Sequence, residues 1–151
     1  MLTVIATDRA PTPFLMLGAG GLIPFLAGAA ALWLAPPDAK AVVREWLAAY
    51  GVVILAFVGA LHWGIVAQVR QAPAASVWVA AGWGVVPALV AWVALAIDPA
   101  TTLVVLAGMF ALQLAMDRWL ARNFPVAGWF LRLRAGLTAV VVAALAAGAL
   151  A

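Results

Sequence analysis

Apolar residues run along this chain in long blocks, and nearly all of the charged residues lie between the blocks or at their edges. The blocks fall at about residues 13–35, 46–69, 76–97, 99–118 and 130–151. A bilayer core of about 30 Å needs roughly 20 such residues in a helix. Each block therefore reads as a membrane span. The last two are short, so their helices must extend into the flanks. Trp129 and Phe130 are expected to start the fifth early, with Arg132 and Arg134 snorkelling towards water. Lipid offers no partner to free backbone groups, so spans must be helices or a closed barrel. Barrel strands alternate apolar and polar positions over about ten residues. No such alternation is present, and the expected fold is all-α: a single five-helix membrane bundle.

Composition narrows the picture further. Some 69% of residues are hydrophobic and only 9% charged, against about half and a quarter in a soluble domain. Five acids, eight bases and one histidine cannot solvate a soluble surface of 151 residues. A disordered chain is excluded by the same hydrophobicity. No cysteine is present, which removes disulfide scaffolds, thiolate metal sites, iron–sulfur clusters and cysteine nucleophiles. The net charge of +3 sits beside apolar runs rather than on a basic face, so no nucleic-acid partner is expected. The first block resembles a signal peptide behind Arg9, but its apolar run continues through Leu32, Trp33 and Leu34 and reads as a span.

Orientation follows from the bases. Arg9, Arg70, Arg118, Arg122, Arg132 and Arg134 fall on one side, and Lys40 and Arg44 on the other. Cytoplasmic segments carry the excess of Lys and Arg, which puts the N-terminus in the cytoplasm and the C-terminus outside. Trp33, Trp46, Trp78, Trp119 and Trp129 lie near span ends, where an aromatic belt forms. Pro36-Pro37-Asp38 and Asp98-Pro99 make the connections on the second side, with Pro99 suited to a helix start.

Few residues can carry chemistry. His62 is the only histidine, roughly 12 Å inside the second span counting back from Arg70. Ionisable groups at such depth are functional candidates. A neutral hydrogen-bonded structural role, a proton-handling or ligand-binding role, and axial haem ligation all stay open for it, although one histidine excludes a two-histidine haem within the chain. Gln113 and Asp117 share a face of the fourth helix in its cytoplasmic half, as His62 lies in that half of the antiparallel second helix, so contact between them is geometrically possible. Asp117 can serve as a functional carboxylate or simply pair with a nearby arginine. The stretch from Asp117 to Arg134 alternates bases with large apolar residues. It suits an interfacial segment whose Arg118 and Arg122 meet anionic headgroups, or a plain topological anchor. Small-residue pairs such as Ala60 with Gly64 and Ala80 with Gly84 permit close helix approach. Gly18, Gly20, Gly21 and Pro24 loosen the first helix, as Pro87 does the third, and such breaks can line a cavity.

Three blocks of residues also carry a family likeness. They are Leu17-Gly18-Ala19-Gly20-Gly21-Leu22-Ile23-Pro24-Phe25, the run from Tyr50 to Gly64 that ends Gly59-Ala60-Leu61-His62-Trp63-Gly64, and Asp117 with Pro125, Trp129-Phe130, Leu131-Arg132-Leu133-Arg134 and Leu137-Thr138. On these the chain resembles the domain of unknown function 3429 family, the transmembrane protein 69-like proteins. Family members often carry Tyr where this chain has Phe130. The resemblance implies a small multi-helix protein of the bacterial inner membrane or its mitochondrial descendant, with no established activity. It points to a shared polar cluster of His62, Asp117, Arg132 and Arg134, which with Gln113 forms the candidate site. The expected function is a non-enzymatic accessory subunit or assembly factor of a larger membrane complex. The protein would work without cofactor or metal, in contact with anionic lipid. A small carrier or channel with a polar path at His62, Gln113 and Asp117 is the alternative.

Overall fold

The computed structural model describes residues 9–151. The residues before Arg9, and with them the position of the N-terminus itself, lie outside the described part. Six helices follow one another: α1 (Thr12–Leu34), α2 (Pro37–Val66), α3 (Ala74–Trp83), α4 (Val86–Ala94), α5 (Pro99–Asn123) and α6 (Gly128–Leu150). The described residues contain no strand. Helices α3 and α4 are the two halves of one span, giving five helices long and apolar enough to cross a membrane.

Three boundaries differ from those expected, each for a local reason. Helix α2 begins at Pro37 rather than near Trp46. Pro37 suits the first turn, Asp38 lies in it, and no breaker follows before the apolar run. Helix α5 runs on to Asn123, so Arg118 and Arg122 stand exposed on its last turns. The stretch from Asp117 to Arg134 is thus two helix ends joined by a short turn, not a separate interfacial segment. The third span breaks at Gly84-Val85. Pro87 lacks an N–H and its ring collides with the carbonyl four residues back, which stops a regular helix at Trp83. Val85 N–H turns to Gly82 O (3.1 Å), and the Ala81 carbonyl accepts the Trp63 indole N–H instead (2.7 Å). Pro24, by contrast, sits on the exposed side of α1, which continues through it.

Helix α5 is central. It packs against α6 and α2, while α1 lies across α2 and α6, and α3–α4 flank α2 and α5. Its buried positions are Thr102, Leu103, Leu106, Ala107, Phe110, Gln113, Asp117 and Leu120, a stripe at helical spacing. Phe25, Leu32, Leu55, Leu103, Leu106, Phe110 and Leu145 are fully enclosed, and Phe25 meets Phe110 edge-on at 5.9 Å. The outward faces are equally apolar: Trp33, Trp46, Trp78, Phe57 and Leu17 are all exposed, as lipid contact requires. At the start of α5, Asp98 accepts from Thr101 N–H (3.0 Å). The hydrogen bond from the Thr101 side chain, and then that from its N–H, hold the Asp98 carboxyl below the usual carboxylate range. A lowered acid contributes its stabilisation above the unfolded value of about 3.9 and loses it as pH falls through the folded one, so this cap is intact at neutral pH.

The ends of the bundle separate the bases as the span count requires. Arg9 and Arg132 border one surface groove. Val69 and Ala72, flanking Arg70, pack with Trp119 and Phe124 beside Arg118 and Arg122. At the opposite end Lys40 Nζ donates to Ala151 O (2.7 Å).

The close approach of α2 to the third span is made by Gly59 against Gly84 of the expected pair Ala80 and Gly84, whereas Ala60 and Gly64 face outwards. A Cβ on Gly59 would sit 3.0 Å from the Gly84 carbonyl oxygen and 3.5 Å from Pro87 Cγ, whereas one on Gly64 would meet nothing. Gly59→Leu should therefore lower thermal stability in detergent by about 1–3 kcal/mol through overpacking. Gly64→Leu should leave it unchanged; equal effects would contradict this packing.

Candidate functional site

Four helices bring polar side chains together in the half of the bundle that holds the arginine-rich ends. His62 comes from α2, Trp83 from the end of α3, Gln113 and Asp117 from α5, and Arg134 from α6. His62 and Gln113 are 0% exposed and Asp117 1%. In lipid such burial makes each unpaired polar atom costly.

Asp117 is the hub. Its Oδ2 accepts from Arg134 Nε at 2.8 Å. Its Oδ1 accepts from Gln113 Nε2 at 3.0 Å and lies 2.9 Å from His62 Nε2. The Gln113 amide is oriented from its other end, because Trp83 Nε1–H donates to Gln113 Oε1 at 2.8 Å. That leaves the Gln113 NH2 group facing Asp117 and His62. A carboxylate paired with a guanidinium can only accept, so His62 Nε2 must carry the proton and donate to Oδ1. The 3.1 Å approach of Gln113 Nε2 to His62 Nε2 is then a contact between two donors that share one oxygen. With the imidazole neutral, the charges of Asp117 and Arg134 cancel. A charge-balanced group is the form a low-dielectric interior tolerates.

Of the expected residues, His62, Gln113, Asp117 and Arg134 meet. Arg132 does not join them. It is exposed and borders the surface groove with Arg9, Thr12 and Trp129. The reason is helical geometry: residues two apart face nearly opposite directions, so a helix that buries Arg134 turns Arg132 outwards. Arg118 and Arg122 are exposed at the end of α5. Trp83 was not anticipated. The available signal was an indole N–H inside a span, which needs an acceptor when buried. Among the described residues no group of three or more His, Cys, Asp or Glu could hold a metal ion.

Three polar atoms in this region are buried without a hydrogen-bond partner among the described residues: His62 Nδ1, Arg134 Nη2 and Thr138 Oγ1. Thr138 lies one turn beyond Arg134 on the same face of α6. Both line a cavity of about 320 Å³ bordered by α1, α2, α5 and α6, with Phe25 and Phe110 among its walls. His62, Gln113 and Asp117 do not line it.

A family model described as a protein of unknown function, DUF3429, matches residues 10–150. A curated relative, "Transmembrane protein 69" of Xenopus tropicalis, is 37% identical over 145 residues. The alignment covers 91% of this chain and 53% of the frog protein, so the chain spans about half the length of that relative. No solved structure matches it.

The ion pair can be tested by a double-mutant cycle. Asp117→Asn leaves Arg134 buried without its counter-charge and should lower unfolding stability by about 3–5 kcal/mol. Replacing both partners by leucine should restore part of that loss, because it strands no charge, although the donors of His62 and Gln113 then lose Asp117. Additive losses in thermal melts of the single and double variants would show that the two side chains do not form one unit.

Proposed function

For a chain that belongs to the DUF3429 family, a family of multi-pass membrane proteins of unknown function, we propose a role as a non-enzymatic accessory subunit or assembly factor of a membrane complex. The observation that carries this reading is that Asp117 and Gln113 are occupied by one another and by side chains of three other helices. Asp117 spends both oxygens on Arg134, Gln113 and His62, and Gln113 spends its own oxygen on Trp83. Such a cluster clamps helices, and none of His62, Gln113 and Asp117 lines the cavity beside it. The described loops are a few residues long, and the exposed surface is mostly lipid-facing. What is left for recognition is the arginine-bearing end, where exposed Arg118 and Arg122 meet anionic headgroups. The proposed location is the inner membrane of a bacterium, with the arginine-rich end in the cytoplasm by the positive-inside rule.

One observation favours a second reading, the small carrier or channel. His62 Nδ1 is buried with no partner among the described residues, and a polar path through His62, Gln113 and Asp117 would use it.

The deciding experiment is a mild-detergent pull-down of the tagged protein at native expression, with mass spectrometry of what accompanies it. A stoichiometric set of membrane proteins is the expected result. A lone monomer or homo-oligomer would overturn the accessory role and turn attention to liposome flux, with His62→Ala as the test of the second reading. The proposed orientation predicts that a reporter fused after Ala151 is active only outside the cytoplasm. Cytoplasmic activity would reverse it.

A further inference from the structure

Two hollows adjoin where α1 and α6 begin. One is the cavity beside the cluster. It follows α1 from Phe14 to Phe25 and α6 from Trp129 to Val141, about 17 Å of helix at ~1.5 Å per residue. The other is the surface groove bordered by Arg9, Thr12, Leu15, Trp129, Arg132 and Leu133. Trp129 and Leu133 belong to both, and Trp129 packs on Phe14 with 5.2 Å between ring centroids. Phe14, Leu17 and Phe57, which line the cavity, are exposed on the outward surface, so the cavity borders the lipid. Its walls suit hydrocarbon. Apart from Arg134 and Thr138 the lining residues are apolar. Arg134 is tied to Asp117 through Nε, and Arg134 Nη2 and Thr138 Oγ1 are sealed among protein atoms.

We propose that groove and cavity together bind one anionic glycerophospholipid, with its phosphate at Arg9 and Arg132 and one acyl chain in the cavity between α1 and α6. Length selects the chain. A bilayer core of about 30 Å holds two leaflets, so one leaflet is ~15 Å deep, close to the run of the lining residues. A chain that enters where both helices begin therefore reaches the level of Phe25 and Val141 within one leaflet. Hydrocarbon gains little by leaving lipid for an apolar wall, so the cavity supplies shape and the groove supplies preference. Charge selects the headgroup. Arg9 lies just before α1 and Arg132 in the first turns of α6, both exposed. Each has interactions of its own, and a guanidinium carries five N–H donors, enough to serve phosphate oxygens as well. Even with Asp8 beside Arg9 in the chain, the two arginines leave a net positive charge, which a phosphodiester balances and a zwitterionic headgroup does not. Arg118 and Arg122 border neither hollow. The site stands whether or not the chain works within a complex.

The test is photo-crosslinking of the purified protein in phosphatidylcholine nanodiscs. The probe is a small fraction of phosphatidylglycerol with a diazirine near the end of one acyl chain, and peptide mass spectrometry maps where it attaches. The expected result is saturable labelling concentrated on residues 21–25 of α1 and 133–141 of α6, displaced by unlabelled phosphatidylglycerol. A phosphatidylcholine probe with the same chains should label these residues no more than other outward faces. Arg9→Gln and Arg132→Gln should each weaken the phosphatidylglycerol labelling about fivefold, and Arg118→Gln should leave it unchanged. The proposal is overturned if the phosphatidylcholine probe labels the cavity equally, or if phosphatidylglycerol labels all outward faces alike. It is equally overturned if either Arg9→Gln or Arg132→Gln keeps full labelling. The comparison of the two probes is made on the unaltered protein, so it decides even where a variant folds poorly.

Discussion

A charged pair inside a bilayer must be closed on itself, and the arrangement of this bundle depends on how Asp117 and Arg134 meet that demand. Lipid tails are as apolar as leucine, so burying one more hydrocarbon face does little to choose which helix meets which. Polar closure does choose. The Arg134 bond to Asp117 sets α6 against α5, the His62 bond sets α2, and the Trp83 bond to Gln113 sets the inner half of the third span. With Gln113 and Asp117 turned inwards, helical spacing carries Phe110, Leu106 and Leu103 inwards on the same stripe, where Phe25, Leu32 and Leu145 enclose them. The apolar core thus follows the register that the polar cluster imposes.

This explains which features were legible in the sequence. The five spans were, because the contrast between water and lipid is written in hydropathy. The meeting of His62 with Gln113 and Asp117 was within reach too, because polar side chains at one depth of antiparallel spans have few other partners. Facing was not legible wherever every face is apolar: nothing in the composition distinguishes Gly59 from Gly64, yet one touches the Gly84 carbonyl and the other lies open. The identity of the partner arginine was half legible. Four arginines lay near Asp117 in sequence, and only the choice of helical face separates Arg134 from Arg132. Helix ends were the weakest point. Nothing between Asp38 and Trp46 stops a helix, and likewise nothing stops α5 before Phe124, so both helices run past the apolar blocks that suggested them.

The break in the third span shows the same economy of backbone groups. Pro87 prevents one regular turn, Val85 N–H shifts to Gly82, and the Trp63 indole occupies the Ala81 carbonyl that regular helix would have used. Gly59 lets α2 come close enough for that substitution. The kink is therefore a docking feature for α2, and it brings Trp83 to the end of α3, where its indole reaches Gln113.

Arg134 stands between the two features that distinguish this protein. Its Nε belongs to the cluster and its side chain also lines the cavity, so the group that clamps α5 to α6 is part of the aromatic-walled space as well. Helix α1 forms the other long wall of that space and supplies none of the described cluster residues. Its described polar tie is the Tyr50 hydroxyl donating to Gly21 O at 3.0 Å, alongside apolar contacts such as Phe25 with Phe110. A helix held mainly by apolar contacts in lipid has near-equivalent lipid contacts available when it shifts. The other four spans are locked through Asp117 and Gln113.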